Sequence, residues 1–311
     1  MKSLKNILIK FAISFTILWS VFVWYAAWND VVSDGSSLTH TMWNDLVTQV
    51  STVTWDIPPV LKWYISGLTL SNDPGDVNND IQIDIWTATS KDGLQYIDLN
   101  TVITKRLDAG WSAWDNAWWL ATWSKASSTW YHVFVIRKTD GSVDAWFDTS
   151  VTATNLLSTS GYNKYRRVGS INTNSSANIR GFHQLGDRFF WNTIVLDRNQ
   201  GNPWTSAVIS GLTTPAWIKT MADLSIEIVD ITFAWTSYHV LVTSPDSTDE
   251  APTATNTHVA IRWVWGSVAQ GSASRFVKTN TSSKVRFRTN YSNGDTSVIL
   301  MTQGFIDDRT Q

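Results

Sequence analysis

The stretch Trp130–Lys138, WYHVFVIRK, decides the fold. Apolar side chains fall on both faces of the extended chain, so it reads as the central strand of a sandwich, covered on both sides. Thr139-Asp140-Gly141 follows and then Ser142–Phe147, a second strand. Asp-Gly between two such runs is a hairpin signal. Upstream, Asp80–Ile85 (DIQIDI) sets Ile81, Ile83 and Ile85 against polar partners, the alternation of a half-buried antiparallel strand.

Working outward, further strands are expected at Tyr165–Ile171, Ile179–His183, Phe189–Leu196, Leu224–Phe233, Tyr238–Val242, His258–Val264, Val285–Thr289 and Ser297–Thr302. Turn-forming Gly, Asn, Ser and Asp separate them, and almost no long helical pattern intervenes. The expected fold is therefore all-β, an antiparallel β-sandwich or jelly-roll-like arrangement over residues 61–311. Residues 201–221 are the least regular, so a division into two β halves is placed there.

The first 27 residues look like a secretory signal. Lys2, Lys5 and Lys10 precede the apolar run Phe11–Val23, and small residues follow at Ala26 and Ala27. An uncleaved N-terminal anchor is the alternative. Residues 28–60 form a short helical and linker segment. Ser36 or Ser37 would cap a helix with Leu38, Met42, Leu46 and Val50 on one face, and Pro58 and Pro59 end the segment. Trp43 fits that helix. With no cysteine, an exported chain must rely on its core, on bound ions or on oligomerisation. A net charge of −2 offers no electrostatic attraction for nucleic acid or anionic lipid.

Composition holds one anomaly: 20 tryptophans against 16 glycines. Ala109–Lys125, AGWSAWDNAWWLATWSK, is a loop by its small and turn-forming residues, yet it carries five indoles. Glycine at each of those positions would make an ordinary glycine-rich loop. The same exchange suits Asp144–Asp148 (DAWFD), Asn202–Thr205 (NPWT), Phe233–Thr236 (FAWT) and Arg262–Gly266 (RWVWG), where a turn or bulge is expected. Some bacterial lineages read the codon UGA as glycine where another translation table reads tryptophan. Many of these tryptophans are therefore expected to be glycines in the natural protein. The competing expectation is a genuine aromatic surface that stacks on sugar rings.

Long motifs add a resemblance. STWYHVFVIRKTDGSVDAWFDTS from Ser128, SGYNKYRRVGSINTNSSANIRGFHQLGDRFF to Phe190, Tyr64–Asp80, Lys105–Ala109 (KRLDA) and the C-terminal Gly304–Arg309 (GFIDDR) resemble phage and prophage tail-fibre-associated proteins. The similarity covers roughly residues 61–311. In that group glycine follows the KRLDA motif, where this chain has Trp111, Trp114, Trp118, Trp119 and Trp123; at Trp130 the group also has tryptophan. The resemblance implies a structural virion component, attachment to a host and a homotrimer. A signal-like N-terminus departs from virion proteins assembled in the cytoplasm, so a secreted host protein built on the same β domain is the alternative.

Sequence patterns offer little chemistry. His40, His132, His183, His239 and His258 lack metal-ligand spacing. Asp76, Asn78, Asp80 and Asp84 resemble the start of a calcium loop, but Ile81 stands where glycine is needed and the far glutamate is missing. Asp108, Asp115, Asp140, Asp144 and Asp148 would support glycoside hydrolysis only if two of them met at about 5–9 Å. No G-x-S-x-G elbow supports serine catalysis. Of Arg166 and Arg167, one should point inward into a buried ion pair.

The expectation is thus a non-enzyme with no cofactor and no metal, extracellular or virion-bound, displaying loops to a cell-surface glycan or protein. Nucleic acid is not expected as a partner, and membrane contact would come only through an N-terminal anchor. The contact loop is Trp111, Trp114, Asp115, Asn116, Trp118, Trp119 and Trp123. A secreted carbohydrate-binding, lectin-like module is the alternative.

Overall fold

Strand β8 (Trp130–Lys138) lies between β9 (Val143–Asp148) and β10 (Tyr162–Asn172), antiparallel to both. Tyr131–Ile136 are all buried, so β8 is covered on both faces as its sequence requires. The hairpin turn closes where Asp140 accepts the Ser142 amide at 2.9 Å. The computed structural model describes residues 63–110, 117–120, 125–157, 161–230, 237–261, 269–292 and 294–309, with backbone alone at 109–110, 117–120 and 156–157. The signal segment 1–27 and the helix expected in 28–60 lie outside them.

The described chain is all-β, with one short helix, α1 (Thr154–Leu157). Two further sheets accompany the β8 sheet. One has the order β1 (Ile65–Gly67), β4 (Trp86–Thr89), β5 (Tyr96–Leu99); the other runs β2 (Leu70–Asn72), β3 (Asp80–Ile83), β6 (Ile103–Gly110), β7 (Ala117–Leu120). Later in the chain a five-stranded sheet has the order β11 (Phe182–Leu185), β12 (Arg188–Gly201), β19 (Thr296–Ile306), β14 (Met221–Asp230), β17 (Ala269–Lys278). A four-stranded sheet of β13 (Val208–Gly211), β18 (Lys284–Thr289), β15 (Tyr238–Thr243) and β16 (Val259–Ile261) completes the set. All described pairings are antiparallel except β6 with β7.

The apolar interior forms two clusters. One gathers Leu70, Ile81, Ile83, Ile97, Leu107, Phe134, Phe147 and Ile171 around β8. The other packs Leu224, Ile226 and Ile228 of β14 against Val240, Val242, Val285 and Phe287 of the four-stranded sheet. The strict alternation along β14 explains its role: one face is buried, the other open. Each such side chain contributes about 1.5–3 kcal/mol on burial.

Long strands β12 and β19 serve both clusters. Phe189, Trp191 and Phe305 pack in the first, while Val298 and Leu300 pack in the second. Midway, Asp197 accepts bonds from the amide and hydroxyl of Thr213, at 2.9 and 2.7 Å, and from the Thr302 hydroxyl. Burial raises the pKa of Asp197 despite these donors.

Several expectations need correction. β3 ends at Ile83, and Ile85 is exposed rather than inward, because the Asp84 amide turns to the Thr69 carbonyl and the chain bends before β4. Ile179 makes only an isolated bridge to Thr173, and β11 starts at Phe182. The expected turn or bulge at DAWFD is strand β9, with Trp146 buried opposite Phe134. Of the other segments matched to glycine, FAWT and RWVWG lie outside the described residues, while Trp204 is exposed after β12. β17 escaped detection because AQGSASRFVK has little apolar alternation; it is an edge strand, open on one side.

Candidate functional site

The contact loop is built on β6. That strand pairs antiparallel with β3 through Asp80↔Arg106 and Ile81↔Lys105, which fixes the direction in which the chain leaves at Gly110. Residues 111–116 and 121–124 are outside the described ones, so Trp111, Trp114, Asp115, Asn116 and Trp123 have no described position. Ala109–Lys125 was expected to be loop throughout. Instead Ala117–Leu120, which carries Trp118 and Trp119, returns as β7 and pairs parallel with β6. The short apolar run AWWL suits a strand, and β6 offers a free row of backbone donors and acceptors beside it. Lys125 closes the base by donating from Nζ to the Asn79 side-chain oxygen. The Ala126 amide donates to the Tyr131 hydroxyl at 2.8 Å.

An acidic turn lies against this base. Asp73 accepts the Gly75 amide at 2.6 Å, Gln82 at 2.9 Å and the Thr104 hydroxyl at 3.0 Å. Asp76 accepts from the Asn78 amide and from Asn79 Nδ2. Arg106 bridges Asp108 at 3.3 Å and reaches Asp80 only at 4.0 Å. Burial and the neighbouring Asp76 carboxylate push the Asp80 pKa up to about 6, against the pull of Arg106. A carboxyl whose folded pKa is raised stabilises most when both states are protonated and loses that contribution as pH rises to the folded value. Asp80→Asn is therefore expected to match the parent near pH 4 and to exceed it increasingly up to about pH 6, levelling off above. Denaturant midpoints across pH 4–7 would check this, and a constant difference would contradict it.

The calcium-like set does not converge. Asp76 and Asp80 share the turn, whereas Asp84 lies past the far end of β3 and accepts the Ile85 amide. Among the described residues no three His, Asp or Glu side chains form a metal-holding group. The carboxylates considered for hydrolysis are separately engaged. Asp144 is buried with Lys105 at 2.6 Å; Asp148 accepts from Ser150 and Asn155; Asp140 closes its hairpin; Asp108 pairs with Arg106. Asp115 lies outside the described residues.

One Ser–His pair has nucleophile-like spacing: His132 Nδ1 stands 2.9 Å from Ser170 Oγ. Both residues are buried, so no substrate reaches them. Burial, aided by the charge of Arg167, lowers the His132 pKa to about 3 and keeps the ring neutral. The expectation that one of the two arginines enters a buried ion pair is met by Arg167. Arg167 forms a buried bidentate pair with Asp307 at 2.6 and 2.7 Å. Arg166 is buried too, with Trp63 5.4 Å from its guanidinium, and burial lowers its pKa to about 10.

These contacts explain the C-terminal GFIDDR. Gly304 lets β19 close on β12, since a Cβ there would lie 2.1 Å from the Phe189 carbonyl oxygen. Phe305 enters the first core, Asp307 holds Arg167, and Arg309 pairs with Asp187 at 2.7 Å. Sequence reading missed Lys105–Asp144 and Asp307 because a partner 39 or 140 residues away leaves no local pattern. A shallow cleft of about 180 Å³ lined by Ser90, Lys91, Asp92, Asn163, Lys164 and Tyr165 is already bridged by the Lys164–Asp92 ion pair. No helix among the described residues is long and apolar enough to cross a membrane. Compared with protein-family models and with curated protein sequences, the chain matches none.

Proposed function

We propose that this protein is a non-enzymatic structural and adhesive β protein, resembling a phage tail-fibre component, that displays loops for attachment to a cell surface. One observation carries the reading. β6 ends at Gly110 and β7 (Ala117–Leu120) lies beside it at the edge of a sheet pinned by a buried core, with Lys125 fastened to Asn79 just beyond, so the stretches 111–116 and 121–124 are anchored at both ends. A rigid scaffold with a loop at its edge is the arrangement in which binding function concentrates. Export, a jelly-roll-like topology and homotrimer formation belong to the same proposal. The partner is a cell-surface glycan or protein.

The test replaces residues 111–116 by a Gly/Ser segment of equal length in the full chain and measures binding of the labelled protein to cells. Loss of about tenfold or more in affinity, roughly 1.4 kcal/mol, is the expected result. Undiminished binding by the folded variant would move attachment elsewhere on the molecule.

The exposed indoles of Trp63, Trp86, Trp204 and Trp217 favour a second reading, a secreted carbohydrate-binding module. Under that reading a glycan shifts tryptophan fluorescence, and Trp111→Ala or Trp119→Ala removes the shift.

A further inference from the structure

Two tryptophans occupy a backbone conformation that belongs to glycine. Trp86 opens β4 with φ of 117°, and Trp217 sits in the turn before β14 with φ of 69°. A bulky L-residue with positive φ crowds its own Cβ against the backbone, whereas glycine adopts the same angle freely. Trp86 pairs in register with Gly67, itself at φ 62°, and a Cβ at Gly67 would fall 2.5 Å from Trp86 Cδ1 and 2.7 Å from its Cβ. Two left-handed residues approach each other here, and one of them is already glycine.

Burial does not offset the strain. Trp86 is 60% exposed and Trp217 70%. Leu68 shows the contrast: its φ is 53°, but its side chain is fully buried in the first core. The remaining non-glycine residues with positive φ among the described ones are Ser128, Ala153, Ala177, Asn202 and Ser283, all small or turn-forming. Three other tryptophans pack in or against the first core. Trp130 and Trp191 pack on each other at 6.0 Å and each on Phe305 at 5.8 Å, and Trp146 is buried within β9. None of the three has positive φ.

We infer that positions 86 and 217 are glycine in the protein made by its natural producer, their codons being read as glycine rather than tryptophan. Backbone conformation carries this, independently of the composition argument. It selects two positions outside the loop 109–125, and it withholds support from Trp146. The consequence is chemical: two of the four exposed indoles among the described residues leave the native surface, and recognition there falls to polar side chains and backbone. The inference does not rest on the adhesive reading and stands or falls apart from it.

Peptide mass mapping of the protein isolated from its natural producer tests it directly. Glycine masses at 86 and 217 are expected, and tryptophan masses would overturn the inference. A second arm uses the recombinant full chain as written. Trp86→Gly and Trp217→Gly should each raise the Tm, and each should exceed its alanine counterpart, which keeps a Cβ at positive φ. Trp130→Gly should lower the Tm. Glycine variants no more stable than the alanine variants at both positions would contradict the conformational argument.

Discussion

Replacing Asp307 with alanine is expected to cost about 3–5 kcal/mol of folding stability, because it strands a buried guanidinium. Arg167 and Asp307 are 4% and 0% exposed at their side chains, and their bidentate contact measures 2.6 and 2.7 Å. Without the carboxylate, Arg167 keeps only the Ser170 hydroxyl and the Asp308 carbonyl, both at 3.2 Å. Neither neutralises its charge. The double variant Arg167→Met/Asp307→Leu should recover much of the loss, since it removes both buried charges together. Denaturant unfolding of the full chain checks this. A loss below about 1 kcal/mol in Asp307→Ala, the size expected of an exposed pair, would mean that water reaches the site.

Phe305→Ala is expected to lower stability by a similar amount, about 3–5 kcal/mol. The Phe305 ring stacks on Phe189 at 4.9 Å with planes 3° apart, and Trp130 and Trp191 close two further sides. Deleting it opens a cavity where β12 and β19 are already as close as glycine allows, so collapse is limited. For a chain of this size the Tm should fall on the order of 10 °C. Phe305 and Asp307 stand two residues apart on one stretch of chain, so their combined loss should differ from the sum. Thermal unfolding of the single and double variants would measure that coupling.

Both effects fall on the GFIDDR segment, whose role in the fold follows from its contacts rather than from its letters. Neither the stack on Phe189 nor the clasp on Arg167 has a local signature. Elsewhere local pattern was informative. β8 was read as it stands, because a strand between two neighbours is apolar on both faces, and β14, apolar on one face, was found but starts three residues earlier than expected, at Met221. β17 was missed because an edge strand needs no apolar repeat. Of the contact loop, the sequence supplied its place between the KRLDA motif and β8 but read Ala117–Leu120 as loop, since parallel pairing with β6 is a long-range choice.

By itself, the sequence determined that this chain is β-rich, where most of its strands lie and that it holds no disulfide. Side-chain alternation and turn residues act within a few positions, and their physics is legible in order along the chain. Only the tertiary structure decided that Arg166 and Arg167 are both buried, that Lys105 meets Asp144 inside the core, and that Trp86 and Trp217 stand at glycine angles. Those outcomes depend on which distant strands close on one another, and packing settles that across separations at which no local preference reaches.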